Sequence, residues 1–291
     1  MANALKKAHP FSVAARNREL LSRPNVAEQG LSSALSIAEI SADIFALLEG
    51  FALQGVRRFF HHRFWETESL EAAFSDRAEP GVKLENVAAH SWHVADATLL
   101  ILDHFDWLDR EHCLSLAILH DKLEMYTGDV NPVGRDGTGR KTHAFDQSAR
   151  LLKDTRERSA LMRYTSSLNT RSAQRQARLL AEIIDGASEE ARFIKAIDKL
   201  QAFAFVHLKK RGNMLDSHIR FTIRYSAKAY EYFPHLKGHY DFLLALFMEE
   251  IAHRRGRDAS QLERDIFSQL ELQFSDGPDS EDRAVRAHGR R

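Results

Sequence analysis

The chain has 291 residues, and its 41 Lys+Arg balance 41 Asp+Glu, which gives no support to duplex nucleic acid or an anionic membrane as a partner. A hydrophobic share of 44% excludes wholesale disorder. The single cysteine, Cys113, excludes an internal disulfide, and with neither a signal-peptide core nor an apolar run long enough to span a bilayer the sequence reads as a cytoplasmic protein.

Taken in chain order, residues 1–30 are polar and weakly periodic and read as a mobile arm or a short docking helix. Apolar residues then recur at i, i+3 and i+4, the spacing of amphipathic helices. Helices are predicted at about 34–62, 86–104, 110–126, 142–154, 157–167, 171–185, 188–211, 214–231, 238–255 and 259–272. No stretch alternates as a strand would, so the class is all-α, with 31–273 as a single helical domain. The segment 128–141 holds four of the fourteen glycines and Pro132, and reads as a flexible loop and candidate lid. Residues 274–291 lack an apolar stripe and read as a disordered tail.

Three of these helices carry polar groups where a core should be. His90 lies on the stripe of Val87, Val94 and Ile101. Cys113, Leu116 and Ala117 lead to His120 on the same face, Asp121 sits about 100° further round, and Glu124 follows a turn later. Asp198 falls within the stripe of Ala191, Ile194 and Phe205. Each has an ordinary explanation when taken alone: a satisfied core histidine, an exposed Asp121, an Asp198 paired with Arg192, Lys195 or Lys199. Their co-occurrence favours one divalent ion, because a buried carboxylate is costly unless paired, hydrogen-bonded or metal-bound. Two imidazoles and two carboxylates suit Mn²⁺, Fe²⁺, Co²⁺, Ni²⁺ or Zn²⁺. With 15 histidines in the chain, other His pairs need separate reading. His93 is geometrically able to ligate but reads better as a packing neighbour of Trp92, and His143 alone does not supply a second metal site.

The segments ENVAAHSWHVADATLL (85–100), LAILHDKLEMYTGDV (116–130) and FIKAIDKLQAF (193–203) resemble the HD-domain metal-dependent phosphohydrolase superfamily, over roughly residues 80–210. Its ligand pattern of a His, a His-Asp doublet and a later Asp falls on His90, His120-Asp121 and Asp198. The surrounding motifs are similar to the 5′-deoxynucleotidase branch. The resemblance implies a helical bundle, one divalent ion, and release of phosphate from a small phosphate monoester such as a deoxynucleoside 5′-monophosphate. It implies that Glu124 orients water or moves a proton, that Asp129 approaches a sugar hydroxyl, and that Lys83 meets a phosphate.

One feature of that branch is missing. It places an Arg and a Trp about fifteen residues before the first His, where this chain has Ser75 and Asp76; Arg77, or Arg63 and Trp65 further back, are the nearby substitutes. A hydrolase of polyphosphorylated guanosine is disfavoured, because Lys122-Leu123 replaces the acidic pair such enzymes carry after the doublet. A non-catalytic nucleotide-binding regulator remains an alternative. The basic run HRRGR (253–257) reads as a solvated helix end rather than a nucleic-acid surface. The aromatic-rich C-terminal helices either enlarge the core or form the face of a homodimer.

Overall fold

The structure is a computed structural model that describes residues 37–58, 85–134 and 136–275. Its helices are α1 (Ile37–Gly50), α2 (Val87–Leu102), α3 (Arg110–Leu119), α4 (Glu124–Thr127), α5 (Gln147–Thr165), α6 (Thr170–Asp185), α7 (Glu189–Lys210), α8 (Asp216–Ser226), α9 (Lys228–Tyr232), α10 (Lys237–Arg255) and α11 (Ala259–Ser275). Short 3₁₀ turns at Phe51–Gly55 and Pro234–Leu236 join them. Among the described residues the only β pairing is one isolated antiparallel bridge, Arg57 to Asn86.

Local chemistry sets five of the helix starts. Asn86, Asp109, Asp146, Asn169 and Ser188 each turn a side-chain oxygen onto a backbone N–H of the following first turn, satisfying a donor that has no partner inside the helix. The core is organised around α7. Ala191, Phe193, Ile194, Ala196, Ile197 and Leu200 are all buried, so this helix is apolar around much of its circumference and lies within the bundle. Phe105, Phe193 and Phe233 form a mutually edge-on triad with centroids 5.1–5.8 Å apart. A smaller apolar cluster, Leu123, Ala160, Tyr164 and Leu180, closes the α5–α6 side.

Several predicted boundaries differ from the structure. The helix expected over 34–62 stops at Gly50. Beyond the 3₁₀ turn, Val56 to Arg58 runs extended against the start of α2, with Arg58 N–H donating to the Glu85 carbonyl at 2.9 Å and Val87 N–H to the Val56 carbonyl at 2.9 Å. The helix expected over 110–126 breaks after Leu119 into i→i+3 turns at 122 and 124. Conversely, 142–154 and 157–167 are one helix, α5. The polar run between them is the solvent side of a continuous helix, and Thr155 returns its hydroxyl to the Leu151 carbonyl at 2.9 Å. Phe205 is only partly buried, and Phe203 fills the core position instead.

The loop expected to be a flexible lid is packed. Val133 is 1% exposed, and Thr142 Oγ1 donates to the carbonyls of Pro132 and Gly139 at 2.6 and 2.8 Å. Gly139 lies at φ 71°, where an added Cβ would stand 2.5 Å from the Phe221 ring and 2.9 Å from the Pro132 carbonyl, so only glycine fits. Residues 1–36, 59–84 and 276–291, which include the expected arm and tail, lie outside the described residues.

Candidate functional site

Packing of α2 and α7 against the break after α3 brings His90, His120 and Asp198 to one point, with Asp121 beside the two histidines. His90 Nε2 is 3.1 Å from Asp198 Oδ1, 3.4 Å from Asp121 Oδ2 and 3.2 Å from His120 Nε2. His120 Nε2 is 3.3 Å from Asp121 Oδ2. His90, His120 and Asp198 each offer a ligand atom within 4.8 Å of the others. The neighbours His120 and Asp121, which would diverge on a regular helix, meet where α3 gives way to tighter turns.

The hydrogen bonds on the far side of each ring decide what faces inward. His120 Nδ1 lies 2.7 Å from the Ala117 carbonyl, which can only accept, so Nδ1 carries the proton. His90 Nδ1 lies 2.7 Å from Gln201 Oε1. The orientation of that amide is set by its nitrogen, which donates to Glu85 Oε1 at 2.7 Å, so His90 Nδ1 is also a donor. In their neutral forms both imidazoles therefore turn Nε2 lone pairs toward each other and toward two carboxylate oxygens. Four pairs of these electron-rich atoms stand 3.1–3.4 Å apart and repel unless a proton or a metal ion lies among them, so the set could hold a divalent metal. Burial and the charge of Arg58 push His90 below its ordinary pKa. For His120 burial acts downward as well, but the charge of Asp121 and its hydrogen bond to Asp121 raise it.

The carboxyls of the site are driven apart. Burial acts against the charge of Asp121 and Asp198, but His120 holds Asp121, and Lys199 with His90 holds Asp198, below the usual carboxylate range. The Lys199 ammonium is 2.5 Å from Asp198 Oδ2, so the ordinary ion pair expected from the sequence is present alongside the convergence. Glu124 goes the other way. Burial first, then the charges of Asp121 and Asp129, raise it well above the ordinary value, and its Oε2 is buried without a hydrogen-bond partner. Carboxyls driven apart in one cleft can serve as a separate acid and ligand, although structural ion pairs also drive them apart.

Two cavities open on this cluster. The larger, about 390 Å³, is lined by His120, Asp121, Glu124 and Asp198 on one side. The smaller, about 90 Å³, is lined by Arg58, Asp121, Glu124, Asp129 and Asp198, so Asp129 shares a wall with the site just beyond the Gly128 helix stop. Lys83 and Arg77, the expected phosphate contacts, lie outside the described residues, as do Arg63 and Trp65. His93 is exposed and packs edge-on against Trp92, with centroids 5.2 Å apart, away from the cluster. His143 lines both cavities and is not one of the three convergent ligand-type residues.

Sequence reasoning missed the groups behind the cluster. Arg58 Nη1 donates to Glu85 Oε2 at 2.8 Å, and its other nitrogen stands 3.9 Å from Asp198 Oδ1. Burial opposes the charge of Arg58, yet Glu85, Asp129 and Asp198 hold it firmly protonated. Glu85, Gln201 and Arg58 thus form a nearly buried brace behind His90 and Asp198. The only sequence signal for Arg58 was its place in the basic string preceding HHRFW, and Gln201 carried none.

A family model described as HD domain matches residues 74–236. The mouse protein named 5′-deoxynucleotidase HDDC2 is 28% identical over 137 residues, covering 46% of this chain and 62% of that one. The fission-yeast (Schizosaccharomyces pombe) protein named 5′-deoxynucleotidase hdd1 is 26% identical over 126 residues, covering 42% and 57%. The chain therefore spans less than two thirds of the length of these relatives. A solved structure titled as a "Predicted metal-dependent phosphohydrolase", from Magnetospirillum magnetotacticum, superposes with a TM-score of 0.49 at 21% identity, over 75% of this chain and 97% of its own.

Proposed function

This chain belongs to the HD domain family, and from that premise we propose that it is a divalent-metal-dependent phosphohydrolase. Its substrate would be a small phosphate monoester of the nucleoside or deoxynucleoside 5′-monophosphate class. The observation that carries the reading is the convergence of His90, His120, Asp121 and Asp198, with both Nε2 lone pairs turned inward. These four residues would hold the ion, two carboxylates matching its charge, and Mn²⁺, Co²⁺, Fe²⁺, Ni²⁺ or Zn²⁺ suits the mixed nitrogen and oxygen set. Such an ion supplies Lewis acidity toward a phosphoryl oxygen and lowers the pKa of a water bound to it.

The remaining work falls to the chain. Glu124, buried and with its pKa raised, would hold a proton at Oε2 and exchange it with the attacking water or the leaving oxygen. Arg58, braced by Glu85, would add fixed positive charge where charge develops on the phosphoryl group. Asp129, on the same wall as Arg58, would meet a sugar hydroxyl. The relatives named 5′-deoxynucleotidase support the substrate class.

The test is phosphate release from a panel of mononucleotides. Chelator-treated protein is expected to be inactive, and Mn²⁺ or Co²⁺ to restore activity. Asp121→Ala is expected to lose both metal binding and turnover. Full turnover by protein shown to be free of metal would overturn the reading.

A further inference from the structure

The larger cavity has a second character beyond the convergent cluster. It runs from His120 and Asp121 past Asp198 to the end of α6 at Ile183–Asp185. Five cationic side chains line it: Arg150 and Lys153 from α5, Lys195 and Lys199 from α7, and Lys228 from α9. Two of them are matched by carboxylates, Lys153 by Glu157 at 2.5 Å and Lys199 by Asp198 at 2.5 Å. The other three are not. Lys195 Nζ donates to the Ile184 carbonyl at 2.8 Å, Lys228 Nζ to the Ala144 carbonyl at 2.5 Å, and Arg150 reaches that same carbonyl at 3.5 Å. None of these three forms an ion pair among the described residues. Of the cavity's other carboxylates, Asp121 belongs to the convergent cluster, Glu124 is buried with its pKa raised, Asp185 is taken by Arg158, and Asp154 with Glu157 partly offsets the charge of Lys195 without an ion pair to it, so the least compensated cations are Arg150 and Lys228.

These charges are crowded. Lys199 and Lys228 both sit over the ring of Tyr225, 4.8 and 5.1 Å from its centroid. Burial, with Lys199 and Arg150 nearby, brings Lys228 down to about 8. His143 stands among Lys153, Lys199, Lys228 and Arg150, and burial together with those four cations brings it to about 3. Its Nδ1 is buried without a hydrogen-bond partner. Like charges gathered in a partly dry cavity repel one another, and an anion relieves the repulsion. Lys195 lies three residues before Asp198, so the wall extends about 4.5 Å along α7 from the cluster.

We propose that Arg150, Lys195 and Lys228 form a second anion subsite, and that the substrate is a phosphate monoester carrying a further phosphate on the same molecule, as a nucleoside 3′,5′-bisphosphate does. The proposal rests on the functional reading above for the reacting phosphate. Water cleaves that one P–O bond, and the second phosphate is bound and leaves intact.

The probe is inorganic pyrophosphate, titrated calorimetrically against metal-loaded protein beside inorganic phosphate at equal ionic strength. Metal content is assayed after each titration so that chelation is not counted as binding. Pyrophosphate is expected to bind at least about tenfold more tightly than phosphate. Lys195→Met and Lys228→Met each lose most of that preference, and Lys228→Arg keeps it. A nucleoside 3′,5′-bisphosphate is expected to show a KM lower by a similar factor than the 5′-monophosphate, while a 5′-diphosphate showing the larger effect would move the second phosphate to the same ester chain and overturn the bisphosphate assignment. Equal binding of phosphate and pyrophosphate by the wild type, or a preference surviving in the double Met variant, would overturn the subsite. Should the Met variants not fold, the wild-type ratio decides. Pyrophosphate preference without hydrolysis of any ester under any metal removes the functional reading and leaves the subsite. Hydrolysis of monophosphates with no pyrophosphate preference does the reverse.

Discussion

Replacing Gln201 by leucine tests the tautomer argument on which the metal reading stands. Gln201 Oε1 accepts from His90 Nδ1 at 2.7 Å, and its nitrogen is held by Glu85 at 2.7 Å. Leucine has nearly the same volume but no acceptor. Two consequences follow. The Nδ1–H of a fully buried His90 loses its partner, and an unsatisfied buried donor costs about 1–3 kcal/mol. The imidazole can escape that cost by moving its proton to Nε2, where Asp198 Oδ1 waits at 3.1 Å, but the lone pair then no longer faces the site. Loss of a partner that orients a metal-ligating histidine costs about 10- to 100-fold in metal affinity, which converts to about 1.4–2.8 kcal/mol, so the two routes agree in size. Equilibrium dialysis with Co²⁺ or Mn²⁺ measures the affinity, and urea unfolding of metal-free protein measures the stability loss. If Gln201→Leu binds metal as tightly as the wild type while folding normally, the inward-facing lone pairs are not what holds the ion.

Four other outcomes are expected. Glu124→Gln should retain metal yet lose turnover by about 10²-fold or more, measured as kcat with metal content checked in parallel. Because the folded carboxyl has its pKa raised, it binds a proton that the unfolded chain releases; its contribution is full below the unfolded value and is lost as pH rises toward the folded one. Metal-free Glu124→Gln should therefore melt higher than the wild type at neutral pH, with the gain shrinking as pH falls into the ordinary carboxylate range; a gain independent of pH would contradict the assignment. Arg58→Met should destabilise the fold by about 3 kcal/mol in denaturant titrations, since it strips the ion pair from a Glu85 side chain only 3% exposed. Gly139→Ala should lower Tm through its positive φ and the clash with Phe221, and an unchanged Tm would mean that the 128–141 loop is free rather than packed.

The sequence alone determined the helical class, and its ordered ligand types indicated a candidate site, because helix periodicity is a local property. An apolar repeat of three and four residues marks which face turns inward, so His90, His120 and Asp198 stood out as polar groups on buried stripes. The same local reading failed where the deciding interactions are not local. It divided α5 at a polar run that is the wet side of one helix, and it carried the α3 helix through the break at His120, where tertiary packing takes over from the repeat. It also took a glycine-rich loop for a lid, since composition does not report that Val133 and Thr142 anchor it. The brace behind His90 could not be read at all. Arg58 meets Glu85 across 27 positions, His90 meets Gln201 across 111, and Gln201 meets Glu85 across 116. Likewise, Arg150, Lys195 and Lys228 sit on three different helices, and the sequence offered a role only for Lys195, as a possible partner of Asp198. Only the packing of α5, α7 and α9 around one cavity brings these cations together, because charges couple through distance in space rather than order along the chain.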